Sequence, residues 1–429
     1  PRKGENATDY LLMQSFDLDV GGVKLTADYT DVGEKFVGFG MLQGSGVSDE
    51  RAKQLEKEKG ITRMGFGLSN ESPKGLSFNN SYRTIDDGDA KITFQNYSVK
   101  SSMFDAYYTS RAIDSGFKRF NDLAESDRNQ MQKERGITRE ALGGRLGLGF
   151  GELKFDRNSI SENGDGIFRQ SLALSSDWIK GSWQTQEISA NFNRSNDLSE
   201  QERAQWHKER GIARESLNLA TGESIKGVSA QFDQKSIEYS GRTFQSMAFD
   251  VSTSIVDFKW WSRETDRSFA RLGDLPQAEL DALIQQTLQM YDPKAGVNGN
   301  DRGFIVREAG LSRDFMKIAS SPAKDLGISY QRSTIDVEGG GLEYTVAGVD
   351  SKSVKLDYRR TKIDESFSRI HDLLDAERKL YGLQSGFDRT DFAGHLALGG
   401  KSSLGFSALD VSSQQGGLQR YSANLSLPG

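Results

Sequence analysis

Side chains able to do chemistry are scarce in this chain, and those present are scattered. Cysteine is absent, which removes thiolate metal ligands, disulfides and a thiol nucleophile together. The three histidines, His207, His371 and His395, fall at unrelated positions of the repeat set out below, so no imidazole cluster for a metal is expected. Carboxylates are plentiful, yet Asp86, Asp114, Asp266, Asp336 and Asp364 recur in one setting, directly after an Ile or Thr that ends a strand pattern. Recurrence of that kind marks turn or capping residues rather than a unique acid–base pair. Glycine phrases such as Gly143-Gly144-Arg145-Leu146-Gly147 and Gly227-Val228-Ser229 lack the Lys-Ser/Thr of a phosphate loop and the spacing of a dinucleotide fingerprint. The expectation is no catalysis, no metal and no cofactor.

The chain repeats a phrase instead. Its clearest copies are FKRFNDLAESDRNQMQKERGITRE (Phe117 to Glu140) and FNRSNDLSEQERAQWHKERGIARE (Phe192 to Glu215), with weaker copies opening at Phe36, Phe269 and Phe367. The opening phenylalanines stand 81, 75, 77 and 98 residues apart, and periodicity on this scale decides architecture before anything else. The phrases occupy loops near 36–63, 117–140, 192–215, 269–307 and 367–390. Each reads as a short polar helix. Asn121 or Asp122 stands where a cap belongs, Lys133 and Arg135 fall in the last turn, and Gly136 suits the C-cap. Leu123, Met131, Leu198 and Trp206 are the few apolar anchors. Phe117, Phe192, Phe269 and Phe367 are expected to plug the loops down, and Arg119, Arg194, Arg271 and Arg369 to pair with Asp122, Asp197, Asp274 and Asp372 three residues on.

Between phrases lie sets of four short segments with partial period-two alternation and turn residues between them, the pattern of an antiparallel meander. LSFNNSYRTI (Leu76 to Ile85), AKITFQNYSV (Ala90 to Val99) and MFDAYYTSRA (Met103 to Ala112) illustrate one set. Two strands precede the first phrase and three follow the last, for about 21 in all. The phrase always occupies the fourth-to-first connection, while third-to-fourth connections such as Ser175-Ser176-Asp177 are tight. One edge of the sheet should therefore carry all the helices and the other be plain.

Bulk composition agrees with a large sheet that is wet on one side. Gly is 46 of 429 residues, only 35% is hydrophobic and the mean hydropathy is −0.60. The net charge of −6 is mild and the basic residues alternate with acids, so nucleic acid is not an expected partner. Val256, Phe258 and Trp260 share one strand face with Asp257 and Lys259 on the other; Val354, Leu356 and Tyr358 repeat this before Arg360 interrupts. Three such residues cover roughly 14 Å along a strand, short for a bilayer but flanked by aromatics such as Trp178 and Trp183. The chain opens without Met and ends in a strand-like pattern, Ser422 to Leu427, as a portion of a longer protein would.

The asymmetry of plain and decorated edges, with aromatic-flanked apolar faces, resembles bacterial outer-membrane β-barrel proteins in general. That resemblance implies an all-β fold, a single antiparallel barrel of about 20 to 22 strands over residues 1–429, with repeated short helices in the long loops at one rim. It implies residence in the bacterial outer membrane, with the bilayer as partner and other envelope proteins meeting the helical rim. The lumen would be lined by Arg83, Lys91, Asp105, Arg111, Arg169, Lys180, Asp257, Lys259, Lys355 and Asp357, whose mixed signs give little charge selectivity. The resemblance departs at the end, where Leu425-Ser426-Leu427-Pro428-Gly429 stands in place of a closing aromatic. An extracellular structural or adhesive β-repeat, its apolar faces packed between two sheet layers, fits the same alternation.

Overall fold

A computed structural model describes residues 9–42, 45–70, 75–194, 206–275, 277–291, 307–381, 385–399 and 401–427, with residues 200, 203 and 303 besides. Among these the chain is all-β, with 21 strands and a few short helices. Contacts fall into two compact units, residues 1–175 with 184–211 and residues 176–183 with 212–429.

The first unit begins with β1 (Leu11–Val20), β2 (Val23–Val32), β3 (Thr62–Asn70), β4 (Ser77–Asp86), β5 (Lys91–Lys100), β6 (Phe104–Ile113), β7 (Thr138–Leu148) and β8 (Gly151–Glu162). Each is antiparallel to the next in an unbroken meander. The unit border runs through β9 (Asp165–Ser176) and β10 (Ile179–Ile188). The second unit holds β11 (Ile212–Thr221), β12 (Val228–Tyr239), β13 (Arg242–Thr253), β14 (Val256–Thr265), β15 (Ser312–Ala323), β16 (Leu326–Val337), β17 (Gly340–Ser351), β18 (Val354–Ile363), β19 (Phe387–Gly399), β20 (Ser402–Ser413) and β21 (Gly416–Ser426). These too form a meander. Strand pairs are joined by the turns their residues favour. Between β8 and β9, Asn163 and Gly164 both have positive φ (52° and 91°), the backbone of a tight hairpin whose twist matches the strands.

Within each unit the connections leaving even-numbered strands share one edge, and the helical phrases occupy it. The described helices are α1 (Asp49–Lys57), α2 (Glu125–Lys133), α3 (Gln277–Tyr291) and α4 (Asp375–Tyr381), with single turns of 3-10 helix at Phe120–Asp122, Leu272–Asp274 and Ile370–Asp372 ahead of the last three and further 3-10 segments at Gly38–Leu42 and His207–Glu209. Here the sequence reading needs correction. Asn121 and Asp122 do not cap the α-helix, which starts only at Glu125; Asp122 closes the 3-10 turn and its carboxylate is taken by Arg119 Nε at 2.8 Å. Ser48 does cap α1, accepting from the N–H of Arg51 at 3.2 Å.

The core of each unit is a row of separate clusters, one under each phrase, rather than a layer between sheets. Under the second phrase Phe117, Phe120, Leu123 and Met131 pack on Ile61, Ile85, Ile92 and Ile113. The fifth uses Phe367, Ile370, Leu373 and Tyr381 on Leu311, Ile335, Leu342 and Ile363, and the fourth sets Phe269, Leu272 and α3 on Ile212, Ile237 and Phe244. Four strand ends recur beneath the second, third and fifth phrases, and three of the corresponding four beneath the fourth. Because side chains alternate along a strand, these residues define one face of each strand as covered at its helical end, and the other as open.

Candidate functional site

The second, fourth and fifth phrases are latched to the sheet by the aspartate that follows the incoming strand, and the third by a serine. Asp114 accepts from the N–H of Lys91 at 2.9 Å, Asp266 from Thr243 (2.6 Å) and Asp364 from Gly341 (3.0 Å), and Ser189 does the same for Gly166 (3.0 Å). The N–H of each returns a bond to the carbonyl of the same residue. These aspartates hold backbone, and none is poised for acid–base work. Lys362 and then the Gly341 N–H hold the Asp364 carboxyl below the usual aspartate range.

The arginines two residues after the opening phenylalanines do more than pair locally. Arg119, Arg271 and Arg369 meet Asp122, Asp274 and Asp372 within their own phrase; Asp197 and Leu198 lie outside the described residues. Three of these arginines also reach back some 60 residues to the phrase before. Arg119 donates to the carbonyls of Lys59 and Lys57, Arg194 to Lys133, and Arg369 to Ala309 (2.9 Å) and Arg307 (2.5 Å). The carbonyls of Lys57 and Lys133 are ones a helix end leaves orphaned, and the second, third and fifth phrases are each stapled in this way to the phrase before. Gly60 shows the fit: its φ is +74°, and a Cβ there would sit 3.1 Å from Arg119 Nη1.

Beneath the staples lies a set of buried charges that sequence reasoning missed. Glu58, Glu134, Glu209 and Glu308 are each at most 3% exposed, which is tolerable only with partners. Glu58 takes Arg63 on both oxygens (2.7 and 3.0 Å), Glu134 takes Arg139 (3.0 Å) and Arg111, and Glu308 takes Arg313 (3.0 Å) and Arg263 (3.0 Å). Glu209 accepts from Gln186 at 2.7 Å. Arg313 reaches on to Glu377 of the following phrase, and Arg214 to Glu279 of its own follower at 2.5 Å. The signal was available: Glu-x-Gly-Ile/Leu-x-Arg stands in four copies, at 58–63, 134–139, 209–214 and 308–313.

The two faces of the strands differ sharply beyond this edge. Arg83, Asp105, Arg111, Arg169, Lys180, Asp257, Lys259, Lys355 and Asp357 all stand on the covered face, in register with Ile85, Ile113, Ile167, Ile188, Thr265 and Ile363. Lys91 stands on the opposite face, since its neighbour Ile92 is the one beneath the phrase. Arg111 is not an open lining residue, being half-buried and ion-paired to Glu134. Arg83, Arg111 and Arg169 come together with Arg139 in a cleft of about 630 Å³, where Arg83 lies over the Phe94 ring and Arg169 over Trp206. Lys259 meets Asp250, Asp105 meets Arg145 and Lys180 meets Glu223.

The open face is apolar over the half of each strand away from the phrases. Cross-strand neighbours there include Leu25 with Leu68, Tyr97 with Tyr108 and Leu146 with Leu153 in the first unit. In the second they include Phe249 with Trp260, Phe258 with Ile318, and Phe392 with Ala408. Phe16 (50%), Phe66 (42%) and Leu146 (43%) in the first unit and Ile328 (45%) in the second leave much of their surface uncovered. Toward the helical edge the same face turns polar, through Asp31, Glu140, Glu264, Glu343 and Lys362.

Two solved structures are similar to this chain. OpdQ of Pseudomonas aeruginosa matches over 85% of this chain and 88% of its own, at 7% identity and a TM-score of 0.23. The siderophore receptor PirA from Pseudomonas aeruginosa matches over 85% of this chain and 70% of its own, at 10% identity and a TM-score of 0.21. No protein-family model and no curated protein matches the sequence. Among the described residues no group of His, Asp and Glu is arranged to hold a metal. No described helix is long and apolar enough to cross a membrane, which says nothing of strands.

Proposed function

We propose that this chain forms the wall of a bacterial outer-membrane β-barrel whose polar face lines a passage for solutes, without catalysis. One observation carries the reading: the same strands are apolar on the open face and polar on the covered face, in both units. A membrane admits strands only when every backbone group is bonded to a neighbour and the sheet closes on itself; the continuous antiparallel ladders of each unit suit that requirement. The phrases, which pack on the covered face, would then fold over the lumen side and narrow its mouth. A soluble β-repeat would bury Phe16, Phe66, Leu146 and Ile328 between layers, and their exposure favours lipid as the missing neighbour.

Extraction and conductance test this in sequence. The chain is expected to need detergent, and purified protein in planar bilayers to give stepwise currents. A chain that stays soluble and monomeric without detergent overturns the membrane reading. A membrane-inserted but electrically silent chain overturns the passage, and leaves a scaffold whose helical edge meets other envelope proteins.

A further inference from the structure

We propose that the covered face of the first unit carries a binding site for small organic anions with two or more carboxylates. This names the solute class for the passage proposed above and rests on that reading. The site is the cleft of about 630 Å³ that holds Arg83, Arg111, Arg139 and Arg169. Strand register sets three of them in one row across the sheet: Arg83 faces Phe94, Phe94 faces Arg111, and Arg111 faces Arg139. Like charges directly opposite one another are destabilising, and Glu134 behind Arg111 and Arg139 offsets part of that. Among the residues lining the cleft the one carboxylate is Glu140, and it stands on the open face, accepting from Tyr108 at 3.0 Å. The mixed signs read from the sequence average over the whole lining; this stretch of it is cationic.

The second unit holds the same row closed. Lys235, Ser246, Arg263 and Arg313 face one another on β12 to β15, at the repeat positions of Arg83, Phe94, Arg111 and Arg139. There α3 supplies Glu279 to Lys235, while Glu308 and Glu377 hold Arg263 and Arg313. Arg263 and Arg313 keep 1 and 2% of their side chains exposed, against 24 and 22% for Arg111 and Arg139. Arg83 is exposed outright. The contacts already made in the first unit orient its guanidiniums without exhausting them. Arg83 lies over the Phe94 ring, and Arg169 over Trp206 with its Nε bonded to Gln186 at 2.9 Å. Each guanidinium has five N–H donors in one plane, which meet a carboxylate two at a time. Three strand spacings of about 4.8 Å string the row over roughly 14 Å. A solute with separated carboxylates can span it, whereas one tetrahedral anion meets a single stretch.

Citrate is the probe, with its trimethyl ester and inorganic phosphate for comparison, titrated by calorimetry into the full chain in non-ionic detergent. The parent is expected to bind citrate about tenfold or more tightly than phosphate, less tightly as salt is added, and not to bind the ester. Arg83→Gln and Arg169→Gln leave Glu134 both its partners, and each should weaken citrate about tenfold. Lys352→Gln, at an exposed turn of the second unit, should change it less than about twofold. Circular dichroism checks the sheet of every variant. In planar bilayers citrate should lower the currents of the parent and spare those of Arg83→Gln. Ester bound like citrate, phosphate bound as tightly, or citrate held undiminished by folded Arg83→Gln and Arg169→Gln overturns the inference. Currents that citrate leaves unchanged overturn it too, and the passage stands. Citrate binding with the expected losses, but no currents, overturns the passage and keeps the cleft as an anion site.

Discussion

The two edges of the sheet are built on opposite principles. At the helical edge the same residues return in each repeat, and charge is buried: Arg263 and Arg313 are 1% exposed, held by Glu308 and Glu377. At the plain edge of the first unit Val20, Leu76, Met103 and Phe150 stand exposed beside turns of Gly and Ser. Burying a charged pair seldom adds net stability over an apolar pair, but it makes the geometry demanding, because a displaced partner leaves its mate uncompensated. The helical edge thus fixes the register of successive phrases. The plain edge carries no such buried ion pair among the described residues. Specificity and solvent contact are divided between opposite ends of the same strands.

The largest effects should come from breaking the helical edge. Glu308→Ala leaves two buried arginines facing each other and should destabilise the second unit by about 3–5 kcal/mol. Phe117→Ala empties the centre of the second cluster, where the ring meets Phe120 edge-on at 5.0 Å, and should cost about 3–5 kcal/mol. Denaturant unfolding in detergent, followed by tryptophan fluorescence, checks both; a midpoint within error of the parent for either would deny these residues their role. Arg369→Ala should cost less, about 1–3 kcal/mol, since it loses hydrogen bonds to carbonyls that water can replace in part. Proteolysis between residues 307 and 367 should also become faster, because the staple joins those two phrases. At the other edge Met103→Ser should change unfolding in detergent by less than about 0.5 kcal/mol, the range of exposed sites. A plain-edge substitution as costly as Glu308→Ala would erase the contrast.

Much of this was legible in the sequence, for reasons that can be named. Period-two alternation and turn residues gave the 21 strands, since a meander needs little beyond local chemistry. The repeated position of the phrases gave the single decorated edge of each unit. What stayed hidden was long-range. Arg119 looked like a partner for Asp122, three residues on, and that contact exists; its bond to Lys59 spans 60 residues and has no local signature. Glu134 passed as one acid among basic residues in a helix end, because burial is not visible in a polar string. Lys91 was misplaced by one residue of parity, which in a strand exchanges faces.

The smallest expected effect concerns pH, and it again separates the edges. Asp364 has its carboxyl held low by Lys362 and by the Gly341 N–H. A folded-state value below that of the unfolded chain, about 3.9, means that its contribution to stability is complete above that value and is lost as pH falls through the folded one. Both Lys362 and Asp364 are well exposed, at 48% and 40%, so screening keeps the effect under about 1 kcal/mol. Asp364→Asn keeps an oxygen for the Gly341 N–H but forfeits the charge. Its stability at neutral pH should drop slightly, and its acid limb between about pH 5 and pH 2 should be shallower than that of the parent. Unfolding midpoints across that range measure the slope, and added salt should shrink the difference. Met103→Ser removes no titratable group, so its acid limb should overlay the parent's. If Asp364→Asn leaves the slope unchanged while a plain-edge substitution alters it, the acid-sensitive contacts do not lie where the helical phrases meet the sheet.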